Sequence, residues 1–258
     1  MDNLEREYSP SSRAGGSAEP FVADYQARSV EARVQLGVVV RPLGSEGVSG
    51  LVVPAAEGAP LLVFVHGGYW QALSAGESLF LAPPLARLGW SYAALEYTLA
   101  PDAGIEQMVA ECTAGLAALA ALGARRVVLA GHSAGAHLAA MASLVQAAPL
   151  AIDRLVLVSG VYDLRPLVHT TVNEPLDLDE RSAAGLSPLL LPIRSRPGTV
   201  ADIVVAWGDN DTDAFRAQGL AYAERIGARP LECSGRHHFD IVDDLADPTT
   251  ALGALTLA

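Results

Sequence analysis

Residues Gly131-His132-Ser133-Ala134-Gly135 set a serine between two glycines. An apolar run, Val127-Val128-Leu129-Ala130, leads into them, and Ala136-His137-Leu138-Ala139-Ala140, a good helix former, follows. A hydroxyl is a poor nucleophile until a neighbouring base takes its proton. On a tight strand-to-helix turn its position helps: the hydroxyl is lifted clear of the chain, and the helix N-terminus favours the negative charge that develops beside it. The glycines suit such a turn because side chains there would meet the strand and the helix. A Gly/Ser turn without chemistry is the alternative. The strand before and the helix after favour Ser133 as a nucleophile.

A nucleophile of this kind needs donors for the oxyanion of its tetrahedral intermediate, and backbone N–H groups serve where no side chain stands in the way. Gly67 and Gly68 follow the apolar run Leu61–Val65 upstream of the serine and are expected to supply them, with the N–H of Ala134 as a further donor. His66 is expected to hold this loop rather than react, since the base should come late in the chain.

The acid should lie between the nucleophile and the histidine in sequence. Of six histidines, His169, His237 and His238 lie beyond the helix after Ser133. His169 falls in an irregular stretch, far ahead of the last strands. His237 and His238 follow the final strand candidate, and the adjacent Phe239 favours His238 as the base. For the acid, Asp202–Trp207 runs into Gly208-Asp209-Asn210-Asp211-Thr212-Asp213. An orienting carboxylate belongs in this turn, where it can accept the imidazole N–H and fix its tautomer. Asp211 is central and is the first choice, Asp209 the second. At least one of these aspartates must serve only as a turn former or helix cap.

These groups need a frame. Short apolar runs alternate with Ala-rich helical stretches: strands are expected at Val34–Val40, Val48–Val53, Leu61–Val65, Ser91–Tyr97, Arg126–Ala130, Leu155–Ser159, Asp202–Trp207 and Arg229–Cys233. The first two are close enough to form a hairpin. From Leu61 onward the strands are nearly all apolar, as parallel strands covered on both faces are. Helices are expected at Ile105–Leu122, Ala136–Gln146, Phe215–Ile226 and Asp240–Leu257. The first thirty residues read as loop chemistry, with Ser9-Pro10-Ser11-Ser12 and Gly15-Gly16-Ser17. The pattern predicts an α/β fold of one domain over residues 1–258, with a mostly parallel central sheet of about eight strands and helices on both faces. The proline-bearing stretch from Arg165 to Thr199 breaks the alternation and reads as a cap-like excursion over one end of the sheet.

Composition narrows the partners. Over 258 residues, 51% are hydrophobic and 18% charged, enough to bury a sizeable core. The net charge of −12 and the lack of a basic stripe argue against nucleic acid. No uninterrupted apolar run approaches the length needed to span a bilayer and no signal peptide is evident, so no membrane is expected and a cytoplasmic protein is the simplest reading. Cys112 and Cys233 are expected to be free thiols, with no zinc spacing and no redox pair. No metal or cofactor is called for, because the serine chemistry brings its own nucleophile and donors.

Taken together, these residues resemble the kynurenine formamidase (arylformamidase) branch of the α/β-hydrolases. His66-Gly67-Gly68-Tyr69-Trp70-Gln71 is similar to that family's oxyanion loop, and Gly131 through Ala140 to its nucleophile segment. Ser159-Gly160-Val161-Tyr162-Asp163-Leu164 with Pro166-Leu167, Tyr8-Ser9-Pro10-Ser11 and His238-Phe239 match as well. The excursion keeps Asn173 and Ser187-Pro188 and otherwise departs from the pattern. The resemblance implies an α/β-hydrolase fold, with Ser133, Asp211 and His238 as its triad. It implies hydrolysis of N-formyl-L-kynurenine to L-kynurenine and formate, a step in tryptophan degradation. Tyr69 and Trp70 would then form an aromatic wall for a small-molecule aryl substrate. A carboxylesterase, a secondary-metabolite tailoring hydrolase and a binding protein that has lost catalysis are the other readings.

Overall fold

Eight strands form one sheet in the computed structural model, which describes residues 3–37, 41–43, 48–145, 150–193 and 200–258. They are β1 (Arg41–Pro42), β2 (Gly50–Val53), β3 (Leu61–Val65), β4 (Ser91–Leu95), β5 (Val127–His132), β6 (Ile152–Val158), β7 (Val200–Gly208) and β8 (Arg229–Cys233). Their spatial order is β1-β2-β4-β3-β5-β6-β7-β8. β1 pairs antiparallel with β2, and β2 with β4; every later pairing is parallel. The helices are α1 (Asn3–Glu7), α2 (Glu19–Leu36), α3 (Ala82–Arg87), α4 (Ile105–Leu119), α5 (Ala134–Ala140), α6 (Glu180–Gly185), α7 (Asp213–Ile226) and α8 (Ala251–Leu257).

Side chains of a strand alternate between faces, so each central strand feeds two cores. Leu61, Val63, Val65, Leu129, Leu155 and Leu157 point to one side and pack with α4, α5 and α7. Leu62, Phe64, Val128, Ala130, Val156 and Val158 point to the other and pack with α2, α3 and α8. Because both faces are covered, β3 is buried at every position. The helical stretch Ile105–Leu122 is apolar and long enough to cross a bilayer by composition. Here Met108, Val109, Cys112, Leu116 and Leu119 lie buried in the core it shares with the sheet.

Several expectations shift. Val34–Leu36, read as the start of a strand, is the last turn of α2, and the remainder, 38–40, lies outside the described residues. The hairpin exists, but its first strand is Arg41–Pro42. The first thirty residues are helical over much of their length rather than loop. The expected helix Ala136–Gln146 begins two residues earlier and ends in a π-helical turn, Met141–Val145; Gln146 lies outside the described residues. Asp240–Leu257 is not one helix. Pro248 cannot donate an amide N–H to a helical ladder, and the stretch divides into a 3-10 segment, Asp240–Ala246, and α8. Within 165–199, two 3-10 turns precede α6, and 194–199 lie outside the described residues.

Candidate active site

The parallel register brings the chemistry to one sheet edge. Val65 of β3 pairs with Gly131 of β5, so the loop after β3 and the turn after β5 emerge side by side. His132 pairs with Val158 of β6, and Val158 with Ala206 of β7, which aligns the next turn with them.

Ser133 sits at φ 54°, ψ −121°, between the last residue of β5 and the first of α5. Its amide N–H donates to the Val158 carbonyl at 2.8 Å, and its residue surface is 4% exposed. Such a left-handed angle is costly for a side chain and persists only where packing enforces it. Packing does so here: α5 is pressed onto the end of β3. A Cβ on Gly135 would run into the carbonyl oxygens of Val65 and His66. Gly135→Ala is therefore expected to cost roughly 2 kcal/mol through overpacking. A lower urea midpoint with unchanged slope would show it; an unchanged midpoint would mean that this contact is loose.

Gly68 takes φ 97°, and its carbonyl accepts from the N–H groups of Gln71 and Ala72, which closes the glycine loop. The loop is braced from beneath. The His66 ring stacks on Tyr97 at 4.3 Å, and its Nε2 lies 3.2 Å from Glu96 Oε1. The Tyr97 hydroxyl lies within donating distance of the carbonyls of His66 (3.0 Å) and Gly67 (3.1 Å). His66 thus sits as a holder of the loop, while Glu96 and Tyr97 carried no signal in the sequence. The Ala134 N–H belongs to the first turn of α5, where an amide has no partner within the helix.

Asp211 and His238 meet. His238 Nδ1 lies 3.1 and 3.2 Å from the two Asp211 carboxylate oxygens, and both residues are buried. A carboxylate only accepts, so Nδ1 carries the hydrogen, and in the neutral ring Nε2 keeps its lone pair. Burial alone would raise the Asp211 carboxyl, but the His238 imidazole and the Thr212 N–H outweigh it and hold it below the usual range. The imidazole is wedged edge-on against Phe215 and Phe239.

The competing residues are occupied elsewhere. His237 Nδ1 accepts from the N–H groups of Phe239 and Asp240, a turn-capping arrangement. Asp209 accepts the Gly235 N–H, and Asp213 opens α7 beside Arg13 and Arg216. His169 pairs with Glu180 on the exposed excursion.

Ser133 and His238 both line a cavity of about 320 Å³. Gly68, Tyr69, Ala72 and Leu73 form one side, and Thr171 and Val172 of the excursion another. The roof carries little signal in the sequence. It is a strap, Glu5 to Ser11, continued by Ala18, Val22 and Tyr25 around the start of α2. The strap is tied down at several points: the Tyr69 hydroxyl donates to the Tyr8 carbonyl, Thr212 Oγ1 to the Glu7 carbonyl at 2.6 Å, and Gln218 Nε2 to the Tyr8 hydroxyl at 2.8 Å. Tyr25 donates to the Phe239 carbonyl. The Tyr8-Ser9-Pro10-Ser11 segment was the one clue to it in the sequence.

Trp70 is a correction. It is fully buried, packs edge-on against His137 at 5.2 Å, and does not line the cavity. Tyr69 and Trp70 both have positive φ, and the turn this makes sends neighbouring rings to different surroundings. Of the expected aromatic wall, Tyr69 remains, joined by Tyr8, Tyr25 and Phe239.

A buried base–acid pair, a hydroxyl on a strained turn and nearby backbone donors can together carry out acyl transfer to water. Comparison with known proteins agrees in kind. Residues 62–238 match the family described as alpha/beta hydrolase fold. The chain is 32% identical to a kynurenine formamidase of Salmo salar over 99% of its own length and 95% of that protein's. It is 35% identical to one of Danio rerio, over 77% and 72% respectively. Among solved structures, a putative thioesterase from Silicibacter sp. TM1040 superposes with a TM-score of 0.88 at 29% identity, covering all of both chains.

Proposed function

The chain belongs to the kynurenine formamidase family of the alpha/beta hydrolases, and on that premise we propose that it hydrolyses N-formyl-L-kynurenine to L-kynurenine and formate. The observation that carries the mechanism is the buried Asp211–His238 pair opening on the same cavity as Ser133. Ser133 Oγ attacks the formyl carbon as His238 Nε2 takes its proton. The oxyanion gathers donors from Gly67, Gly68 and Ala134. His238 then returns the proton to the aryl nitrogen, the C–N bond breaks, and kynurenine leaves. Water, deprotonated by the same imidazole, attacks the formyl ester; the imidazolium returns that proton to Ser133 Oγ as the ester C–O bond breaks, and formate leaves. Asp211 keeps the tautomer and stabilises the imidazolium between the two steps.

The cavity suits the aryl half of such a substrate. Its size lies within the range of small-ligand sites, and most of its lining is apolar or aromatic. Thr171 and Val172 of the excursion form part of this pocket's wall within a one-domain chain. The partner is a small molecule rather than nucleic acid or membrane, and the reaction uses no metal or cofactor. A cytoplasmic setting fits the free thiols of Cys112 and Cys233.

One observation favours a second reading, cleavage of a carboxylic ester or thioester: the close superposition on the putative thioesterase. Comparing kcat/KM on N-formyl-kynurenine with that on p-nitrophenyl acetate and a short acyl thioester separates the two. Formamide turnover is expected to dominate. Efficient ester or thioester cleavage with no formamide turnover would sink the first reading.

A further inference from the structure

The residue just ahead of the nucleophile has a task the mechanism leaves unassigned. His132 is buried at the end of β5, and its Nε2 lies 2.7 Å from the backbone carbonyl oxygen of His238. A carbonyl only accepts, so Nε2 carries the hydrogen and Nδ1 is bare. The ring is neutral: burial, helped by the neighbouring His238, pushes its pKa down to about 3. A neutral ring is what this place requires, because a cation there would oppose protonation of the base.

The surroundings show why this bond matters. The loop between β8 and the 3-10 segment at Asp240 makes no strand pairing and is held by ties from elsewhere. Asp209 takes the Gly235 N–H, the Asn210 N–H reaches the Arg236 carbonyl, and Tyr25 reaches the Phe239 carbonyl. The tie from His132 lands on the His238 backbone, while Asp211 holds the His238 ring. The imidazoles of His132 and His238 lie 5.0 Å apart. On its other side His132 abuts the glycine loop: a Cβ on Gly67 would fall 3.2 Å from His132 Nδ1 and 3.1 Å from Ser133 Cβ. One rigid ring thus spans from the glycine loop to the base loop, and the peptide bond after it belongs to the nucleophile.

We propose that His132 is a positioning residue: its Nε2–H, given to the His238 carbonyl, fixes the base relative to Ser133. This rests on the reading of Ser133 and His238 as nucleophile and base, but not on which acyl group is cut. The test therefore uses a substrate-independent probe, the rate at which a fluorophosphonate labels Ser133, beside kcat and KM for p-nitrophenyl acetate. Three variants of the full chain are compared, with near-UV circular dichroism as a check on folding. His132→Leu removes the donor, His132→Asn carries an amide too short to reach, and His132→Gln presents an amide N–H near the place of Nε2.

His132→Leu and His132→Asn are expected to slow labelling and kcat about tenfold, the loss of one aligning hydrogen bond, with KM held to about twofold. His132→Gln is expected to recover most of that loss. If the Leu variant fails to fold, the Asn and Gln pair decides. Wild-type labelling by folded His132→Asn would overturn the proposal, as would Gln falling as far as Asn. Failure of the wild type to label at Ser133 would overturn this proposal and the triad together. Labelling without formamide turnover would remove only the substrate assignment and leave the comparison of variants in force.

Discussion

Ser133→Ala is expected to lower kcat by roughly a million-fold, down to what donors and binding achieve without a nucleophile. Its size follows from the lack of a substitute: the hydroxyl is the group that attacks, and His238 has nothing else to deprotonate in the acylation step. The fold should not suffer. Alanine meets the same backbone cost as serine at φ 54°, and both are small enough for the turn. The Ser133 N–H that donates to Val158 is kept, since it belongs to the backbone. Kinetics with N-formyl-kynurenine, thermal unfolding and product binding by calorimetry form the check. Lost turnover with retained melting temperature and retained kynurenine binding is the expected set. A purified variant that still turns over at the wild-type rate would refute the mechanism.

The second large effect separates two adjacent histidines. His238→Ala should cost about 10⁴- to 10⁶-fold in kcat, because no other group can take the serine proton. It should also cost stability. Removing the imidazole leaves the buried Asp211 carboxylate without its main partner, a loss of about 1–3 kcal/mol. His237→Ala removes a turn cap instead, for about 1 kcal/mol of stability and a change in kcat of no more than about threefold. The reverse ranking would exchange their roles. The pH dependence of stability has a definite sign. Asp211 is held below its unfolded value, so its contribution is present above that value, near pH 4, and drains as acid protonates the folded carboxyl. In His238→Ala that acid-sensitive component should shrink, which two-pH denaturant titrations would detect.

The serine turn, the apolar strands and the order of nucleophile, acid and base were legible because each is written locally. An apolar run followed by Gly131 to Gly135 has few ways to fold, and so does a late His237-His238 after an edge strand. Local pattern gives His238 only a slight edge over His237, through the adjacent Phe239. That choice rests on Phe215 and Asp211, which only the fold brings near. α2 was hidden for the opposite reason. Residues up to 30 read as loop and Val34 as the start of a strand, yet Val30 and Val34 are 64% and 79% exposed on the outer side of one helix. What makes the segment helical is a long-range partner: Tyr25 stacks on Phe80 at 5.0 Å, and Ser29 Oγ accepts the Phe80 N–H. Trp70 misled through its neighbour. Two aromatic residues after a glycine pair suggest one wall, but two positive φ angles in succession place only Tyr69 at the cavity.

The strap over the cavity depends on partners that are made far later in the chain. The ribosome produces Glu7, Tyr8 and Tyr25 early, while their hydrogen-bond partners Thr212, Gln218 and Phe239 come 205, 210 and 214 residues later. Closing loops of that length carries an entropic cost that must be met before the contacts repay it, so these joints are expected among the last to form. A nascent chain that has made its serine turn already holds the Tyr69 tie to Tyr8, yet still lacks the base and these three ties of the roof. Ser133 is therefore expected to gain its proton acceptor and the last ties of its pocket together, once the chain has been made through Phe239.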